Sequence, residues 1–170
     1  MAEITVDEAR ATYACLRAEM AAAYAKAGLG KVAGYQQWAN VALAPYQSAT
    51  HGSRYVNNYA NAVGAESYAR FEEVGTMPAG SVLAKDSFVV RPDGRVAVGP
   101  LFVMEKTAPG ASAATGDWRY TMIMADGSVF GTTGGAGSAR MEFCAECHSV
   151  VADDQDSLFF LPEPLRAKLR

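Results

Sequence analysis

Apolar residues near the N-terminus recur at the three- and four-residue spacing of a helix. One helical face collects Ala9, Tyr13, Leu16, Met20, Ala23 and Tyr24. Thr5 precedes this pattern and Glu8 follows Thr5 by three residues, which is the sequence signature of a capping box. Gly28 and Gly30 come after the last apolar position, where helices commonly end. The pattern predicts an N-terminal helix over residues 5–30.

Apolar and polar positions begin to alternate further along the chain, as they do in β-strands. The strand-like segments are 54–61, 81–90, 96–106, 118–124 and 128–130. Residues typical of tight turns separate segment 81–90 from 96–106, at Pro92-Asp93-Gly94, and segment 118–124 from 128–130, at Ala125-Asp126-Gly127. Shorter helices are predicted at Tyr35–Leu43 and Ala65–Val74. A last helix over residues 139–151 follows a glycine-rich stretch.

Together these elements predict an α+β fold in a single domain over residues 1–170. The middle of the chain, residues 50–131, is expected to be mainly an antiparallel β-sheet of about four or five strands, with helices at both ends. Half of the residues are apolar, which is enough for one globular core. No internal repeat or domain linker is visible in the sequence.

Charge and hydropathy exclude several classes of partner. The formal net charge is −3 and no basic run occurs, which argues against nucleic acid. No apolar run is long enough to span a bilayer. The opening residues MAEITVDEARAT lack the basic and apolar regions of a signal peptide.

The most specific motif is the pentapeptide Cys144-Ala-Glu-Cys147-His148. Two thiols three positions apart can each bond to one vinyl group of a porphyrin, and the next histidine can ligate the iron. A thioredoxin-like pair would need a βαβ setting, which is not found. A zinc site has only Cys15 and His51 as further ligands, and a disulfide would leave His148 unexplained. We therefore interpret the domain as a c-type haem domain.

The position of this motif bears on localisation and on the second axial ligand. Attachment of c-type haem in bacteria takes place outside the cytoplasm, so we expect a periplasmic protein whose signal peptide has been removed. The last methionine is Met141, so no methionine follows the motif to close the sixth iron position. That position is expected to be open, or to be filled by His51. Cys15 is expected to pack as a small apolar residue on the first helix.

Several segments in order resemble the cytochrome P460 family, whose relatives include the β-sheet cytochromes c′-beta. The matching segments are YQQWANVALAPYQSATHGSRYVNNYAN, MPAGSVLAKDSFVV, GPLFVMEK, GDWRY and CAECH. The resemblance runs from about residue 35 to residue 165. It implies an antiparallel sheet with flanking helices, usually in a homodimer, and one haem attached through Cys144 and Cys147 with His148 on the iron. It also implies hydroxylamine oxidation, to nitrous oxide or nitrite-level products, and nitric oxide binding.

The resemblance also assigns roles to individual residues. Lys85 falls where the family carries a lysine cross-linked to the haem, and strand alternation places it on one face with Leu83. Glu105 matches an acidic residue that takes protons from bound hydroxylamine, although Met104 and Glu105 must face opposite ways. Without the resemblance, Lys85 and Glu105 are more commonly solvent-exposed side chains. Arg54 is expected to pair a haem propionate.

These expectations combine into one leading function and two alternatives. The leading one is hydroxylamine oxidation at an open iron site, with electrons passed to a soluble acceptor such as a small cytochrome. The second is a non-catalytic nitric oxide binding protein of the c′-beta type. The third is an electron carrier in which His51 or a methionine closes the sixth position.

Overall fold

The structure is a computed structural model that describes residues 2–168. The α-helices are α1 Val6–Ala25, α2 Ala65–Tyr68, α3 Glu142–Ser149 and α4 Ala152–Gln155. The strands are β1 Ala39–Asn40, β2 Tyr46–Ser48, β3 Arg54–Ala60, β4 Val82–Val90, β5 Val96–Val98, β6 Leu101–Lys106, β7 Trp118–Ile123 and β8 Val129–Thr132. Short 3₁₀ helices connect several of these elements.

All strands join one antiparallel sheet in the order β1–β3–β4–β6–β7–β8. β2 pairs with β3 beside β1, and β5 pairs with β4 beside β6. The α+β class with an antiparallel sheet is therefore confirmed, and residues 2–168 contain eight strands rather than the four or five expected. β1 and β2 are only two and three residues long, too short for alternation to reveal them. The predicted strand 96–106 divides into β5 and β6 at Gly99, where a side chain would collide with Ser87.

The first helix begins where the sequence predicted and ends earlier than predicted. The Glu8 backbone N–H donates to Thr5 Oγ1 at 3.3 Å, and the Thr5 N–H donates to Glu8 Oε2 at 2.8 Å. This capping box confirms the predicted start, whereas α1 stops at Ala25 instead of continuing to residue 30. Cys15 is exposed on this helix, so the expectation that it packs as a small apolar residue is wrong.

Two other predicted helices are shortened or interrupted in the structure. Of the segment 35–43, only Tyr35–Gln37 is helical, as a 3₁₀ turn, because the next residues pair with β3. The side chain of Asn40 accepts the Ala42 N–H at 3.0 Å, a local bond that competes with a helix. The segment 65–74 breaks after α2 because Phe71 has a φ of +53°, in the left-handed region.

The two faces of the sheet carry two separate cores. On the first face, α1 buries Leu16, Met20 and Tyr24 against alternate residues of the central strands, which are Tyr55, Tyr59, Val82, Ala84, Phe88 and Val103. On the second face, the segment from Met141 to Leu161 covers the intervening residues, among them Leu83, Tyr120 and Met122. Strand alternation thus sends neighbouring residues of one strand into different cores.

A buried carboxyl group ties α1 to the first face. Asp86 on β4 is 1% exposed and accepts the hydroxyls of Tyr13 at 2.7 Å and Tyr35 at 2.9 Å. The side-chain amide of Asn57 donates to it at 3.3 Å, and the hydroxyls of Tyr13 and Tyr59 lie 2.6 Å apart. Burial raises the pKa of Asp86, while the three donors oppose that rise. The cluster satisfies a group that would otherwise be costly to bury.

We expect Tyr35→Phe to lower the free energy of unfolding by about 1–3 kcal/mol, because it removes a donor to a buried carboxyl. Urea denaturation followed by far-ultraviolet circular dichroism measures this loss. Tyr55→Phe is the matched control, since its hydroxyl accepts the N–H of Ile4 near the chain terminus. That control should lose less, about 0.5–1.5 kcal/mol. Equal losses in the two variants would contradict a special role for the Asp86 cluster.

Candidate haem site

A cavity of about 370 Å³ lies between the second face of the sheet and the segment 141–159. This volume is within the range of about 300–1,000 Å³ that small-molecule and cofactor sites usually have. Its walls are mainly apolar and include Leu83, Phe102, Met104, Tyr120, Met122, Met124, Met141, Phe143, Leu158 and Phe159. The polar side chains among them are therefore the candidates for specific chemistry.

Helix α3 brings the three residues of the motif to this cavity. Cys144, Cys147 and His148 are spaced by three and four positions, so they share one face of the helix. Gly131 on β8 and Gly137 before α3 allow these two backbone segments to approach each other closely. A Cβ on Gly131 would lie 2.6 Å from the Gly137 carbonyl oxygen, so β8 and the turn before α3 pack backbone against backbone.

The two thiols of the motif are free and accessible from the cavity. Cys144 and Cys147 both line it and are not bonded to each other, so the disulfide alternative is not realised. Burial, and secondarily the neighbouring Cys147, raise the pKa of the Cys144 thiol to about 11. Both sulfurs are thus available for covalent attachment of a ligand in the cavity.

His148 is oriented by the backbone of the segment that follows it. Its Nδ1 lies 2.6 Å from the carbonyl oxygen of Ser157, and its ring packs against Tyr120 and Phe159 with centroids 5.3 and 5.5 Å away. Because a carbonyl oxygen can only accept, Nδ1 carries the proton and Nε2 keeps its lone pair. Burial lowers the pKa of His148 to about 4. A neutral imidazole with one nitrogen held by a carbonyl is the usual form of a metal ligand.

Lys85 projects into the same cavity from β4. Alternation along the strand places it with Leu83, while its neighbour Asp86 points to the opposite core. Burial in the cavity wall lowers the pKa of the Lys85 amine to about 8. A fraction of the amine is therefore unprotonated, and nucleophilic, near neutral pH.

Glu105 lies on the wrong face of β6 to reach the cavity. Phe102 and Met104 line the cavity. The Glu105 carboxylate instead forms ion pairs with Lys31 and, at 3.7 Å, with Arg119. The reason is the pleat, which turns adjacent residues of a strand to opposite faces. The structure thus does not bring Glu105 together with the motif, and the predicted proton-accepting role has no support in it.

Arg54 presents an unsatisfied donor at the cavity. Its Nη1 donates to the His51 carbonyl oxygen at 3.2 Å, while its buried Nε has no hydrogen-bond partner within residues 2–168. Leaving such a donor unpaired is costly. A carboxylate of a bound cofactor, such as a haem propionate, suits this position because guanidinium groups bind carboxylates well.

His51 also lines the cavity. Its Nδ1 lies 3.0 Å from Ser48 Oγ and 3.2 Å from Thr50 Oγ1, and its ring meets the edge of Phe102 at 4.7 Å. Burial lowers the pKa of His51 to about 2, with further contributions from Lys85, His148 and Arg54. His51 is therefore neutral, and Nδ1 is the ring nitrogen within hydrogen-bond distance of the two hydroxyls. The structure brings both histidines of the chain to one cavity.

Some features of the site could not be read from the sequence. The Ser157 carbonyl that holds His148 is a backbone group and has no sequence signal. Phe102 could have been found, because it shares the alternation of Met104 along β6. Asn58 lines the cavity as well, held by the hydroxyls of Tyr46 and Tyr68.

The residues of the cavity fit a haem. Two thiols, an imidazole with an available Nε2 and an unsatisfied guanidinium N–H are what its vinyl groups, iron and propionates require. Within residues 2–168, no three His, Cys, Asp or Glu side chains cluster so as to hold a metal ion by themselves. None of the helices in that range combines the length and apolar character that a membrane crossing needs.

Comparison with known proteins identifies the family. The model of the family described as Cytochrome P460 matches residues 32–160, which include the cavity-lining strands and the attachment motif. No curated protein matches the chain significantly. The family match covers most of the chain and agrees with the chemistry of the cavity. The chain therefore belongs to the cytochrome P460 family and is a haem-binding cytochrome.

Proposed function

We propose that this protein is a periplasmic c-type cytochrome that oxidises hydroxylamine to nitrous oxide or nitrite-level products, and that it also binds nitric oxide. The observation that carries the proposal is the placement of Lys85 in the same cavity as Cys144, Cys147 and His148. The family match supports it at the level of a haem cytochrome. A homodimer and a small soluble cytochrome as electron acceptor are parts of the same proposal.

Each residue has a separate task in the proposed site. Cys144 and Cys147 would add their S–H groups across the two vinyl double bonds of a haem, His148 would ligate the iron through Nε2, and Arg54 would donate to a propionate. When bound, the haem supplies an iron centre that accepts electrons from the substrate. The partly unprotonated Lys85 amine would bond to a ring carbon of the macrocycle, with the hydrogen of that carbon and one amine N–H leaving as protons and two electrons passing to an external oxidant such as a peroxide. The apolar walls would exclude water from the bound substrate.

One observation favours nitric oxide binding without catalysis as a second candidate. Oxidation of hydroxylamine releases protons, and a carboxylate within reach would accept them. The lining residues that the structure describes include no carboxylate, and Phe102 and Met104 occupy the wall where Glu105 was expected. An apolar pocket suits a small uncharged ligand such as nitric oxide.

An optical spectrum of the reduced protein, with a peptide mass map after acid–acetone extraction, tests the proposal first. We expect a strongly red-shifted Soret band and a haem that joins the Cys144–His148 peptide to the Lys85 peptide. An ordinary c-type spectrum with a free Lys85 peptide would favour the nitric oxide binding alternative. A low-spin ferric spectrum at neutral pH would instead indicate that His51 closes the sixth position, and would contradict both.

A further inference from the structure

The turn that orients His148 has an unusual backbone. α4 ends at Gln155, and the next two residues, Asp156 and Ser157, have φ values of +46° and +65°. Residues other than glycine adopt this left-handed conformation at a cost, so surrounding contacts must hold it in place. This turn aims the Ser157 carbonyl at Nδ1 of His148.

A buried ion pair holds that turn. Lys106 Nζ lies 2.5 Å from Asp156 Oδ1, and the two side chains are 8% and 14% exposed. Asp156 also accepts the Met77 N–H at 2.8 Å through Oδ2 and the indole N–H of Trp118 at 2.8 Å through its carbonyl. Lys106 in turn donates to the Gly116 carbonyl at 2.8 Å and lies over the Trp118 ring at 4.9 Å. These contacts hold both side chains of the ion pair in place, and with them the backbone of the turn.

The chemical consequence concerns the imidazole. A hydrogen bond from Nδ1–H to a well-placed carbonyl makes the imidazole a stronger electron donor to a metal on Nε2. A stronger donor favours the more highly charged, ferric state of an iron centre and lowers its reduction potential. The strength of this effect depends on how firmly the Ser157 carbonyl is held.

We propose that Lys106 and Asp156 are positioning residues that set the reduction potential of the haem by holding the Ser157 carbonyl against His148. This inference rests on the proposed ligation of iron by His148. It adds to the site two charged residues that touch neither the cavity nor the substrate. Their effect passes through the turn at Asp156 and Ser157.

The test uses the haem-loaded protein and two measurements, the midpoint reduction potential and the iron–histidine stretching frequency of the ferrous form by resonance Raman spectroscopy. We expect Lys106→Met to raise the potential and lower the stretching frequency, because the carbonyl is no longer held. Lys106→Arg retains the charge opposite Asp156 and should restore most of both values. If Lys106→Met fails to fold because Asp156 is left unpaired, Lys106→Met combined with Asp156→Asn removes both charges, and the same shifts are expected.

The control is Met20→Ala, which opens a hole in the first core on the other face of the sheet. It should lower thermal stability without moving the potential or the stretching frequency. The inference is overturned if Lys106→Met or the double variant keeps both wild-type values, or if Met20→Ala shifts them equally. A His148→Ala protein that retains the iron–histidine band would instead overturn the proposed ligation, so the two failures are distinguishable.

Discussion

Lys85→Met is expected to remove the red shift of the Soret band and to lower the rate of hydroxylamine oxidation about 10–100-fold, the usual cost of losing a group that tunes a metal centre. Methionine has nearly the length of lysine and suits the apolar wall, so the cavity stays filled. The rate is measured as hydroxylamine-dependent reduction of an artificial oxidant. Nitric oxide binding should persist, since His148 and the apolar walls are unchanged.

Glu105→Gln is the matched control for this prediction. Glu105 was the sequence-based candidate for proton transfer, but its carboxylate pairs with Lys31 and Arg119 on the opposite face. Partly exposed ion pairs of this kind contribute about 0–1 kcal/mol to stability, so the variant should fold normally and turn over at the wild-type rate. A large loss of turnover in Glu105→Gln, or none in Lys85→Met, would contradict the proposed site.

The second large effect is expected from Cys144→Ser combined with Cys147→Ser. The double variant cannot form thioethers, so acid–acetone extraction should remove all of its haem instead of none. The second core surrounds the cavity, so haem loss should also cost stability. We expect a loss of at least about 2 kcal/mol, the low end of the cost of emptying a packed site in a core. Differential scanning calorimetry of the purified proteins measures the change.

Cys15→Ser provides the control, because Cys15 is the third cysteine of the chain and is exposed on α1. It should leave both the extraction result and the thermal midpoint unchanged. Covalent haem that survives in the double variant would exclude attachment through the motif. Covalent haem that is lost in Cys15→Ser would assign the attachment to α1 instead.

The sequence predicted those parts of the fold that depend on long patterns or on strong local chemistry. The capping box of Thr5 and Glu8, the strands β3, β4 and β7 and the alternation at Lys85 all required only the spacing of residues. The short strands β1 and β2 depend on pairing with β3, which no local pattern encodes. The break at Phe71 depends on a left-handed residue that is not glycine, which composition does not reveal.

Within the site, the sequence was most informative about the motif and least informative about distant contacts. Cys144, Cys147 and His148 were found because haem attachment fixes their spacing. Glu105 was assigned by resemblance, and an offset of one position along a strand is enough to put a side chain in the other core. The hydrogen bond between His148 and the Ser157 carbonyl could not be predicted, because it depends on the backbone conformation after α3 and not on a residue type.

The pleat at Met104 and Glu105 has a consequence for how this pocket can change over time. Substitution at position 105 changes the side that forms ion pairs with Lys31 and Arg119 and leaves the residues that line the cavity unchanged. A one-residue insertion or deletion in β6, by contrast, would reverse which of its residues face the cavity. Glu105 would then replace the apolar side chains of Phe102 and Met104 in the cavity wall. A carboxylate in the pocket therefore requires either an acidic residue at an inward position of β6, such as 102 or 104, or a register shift that turns Glu105 inward.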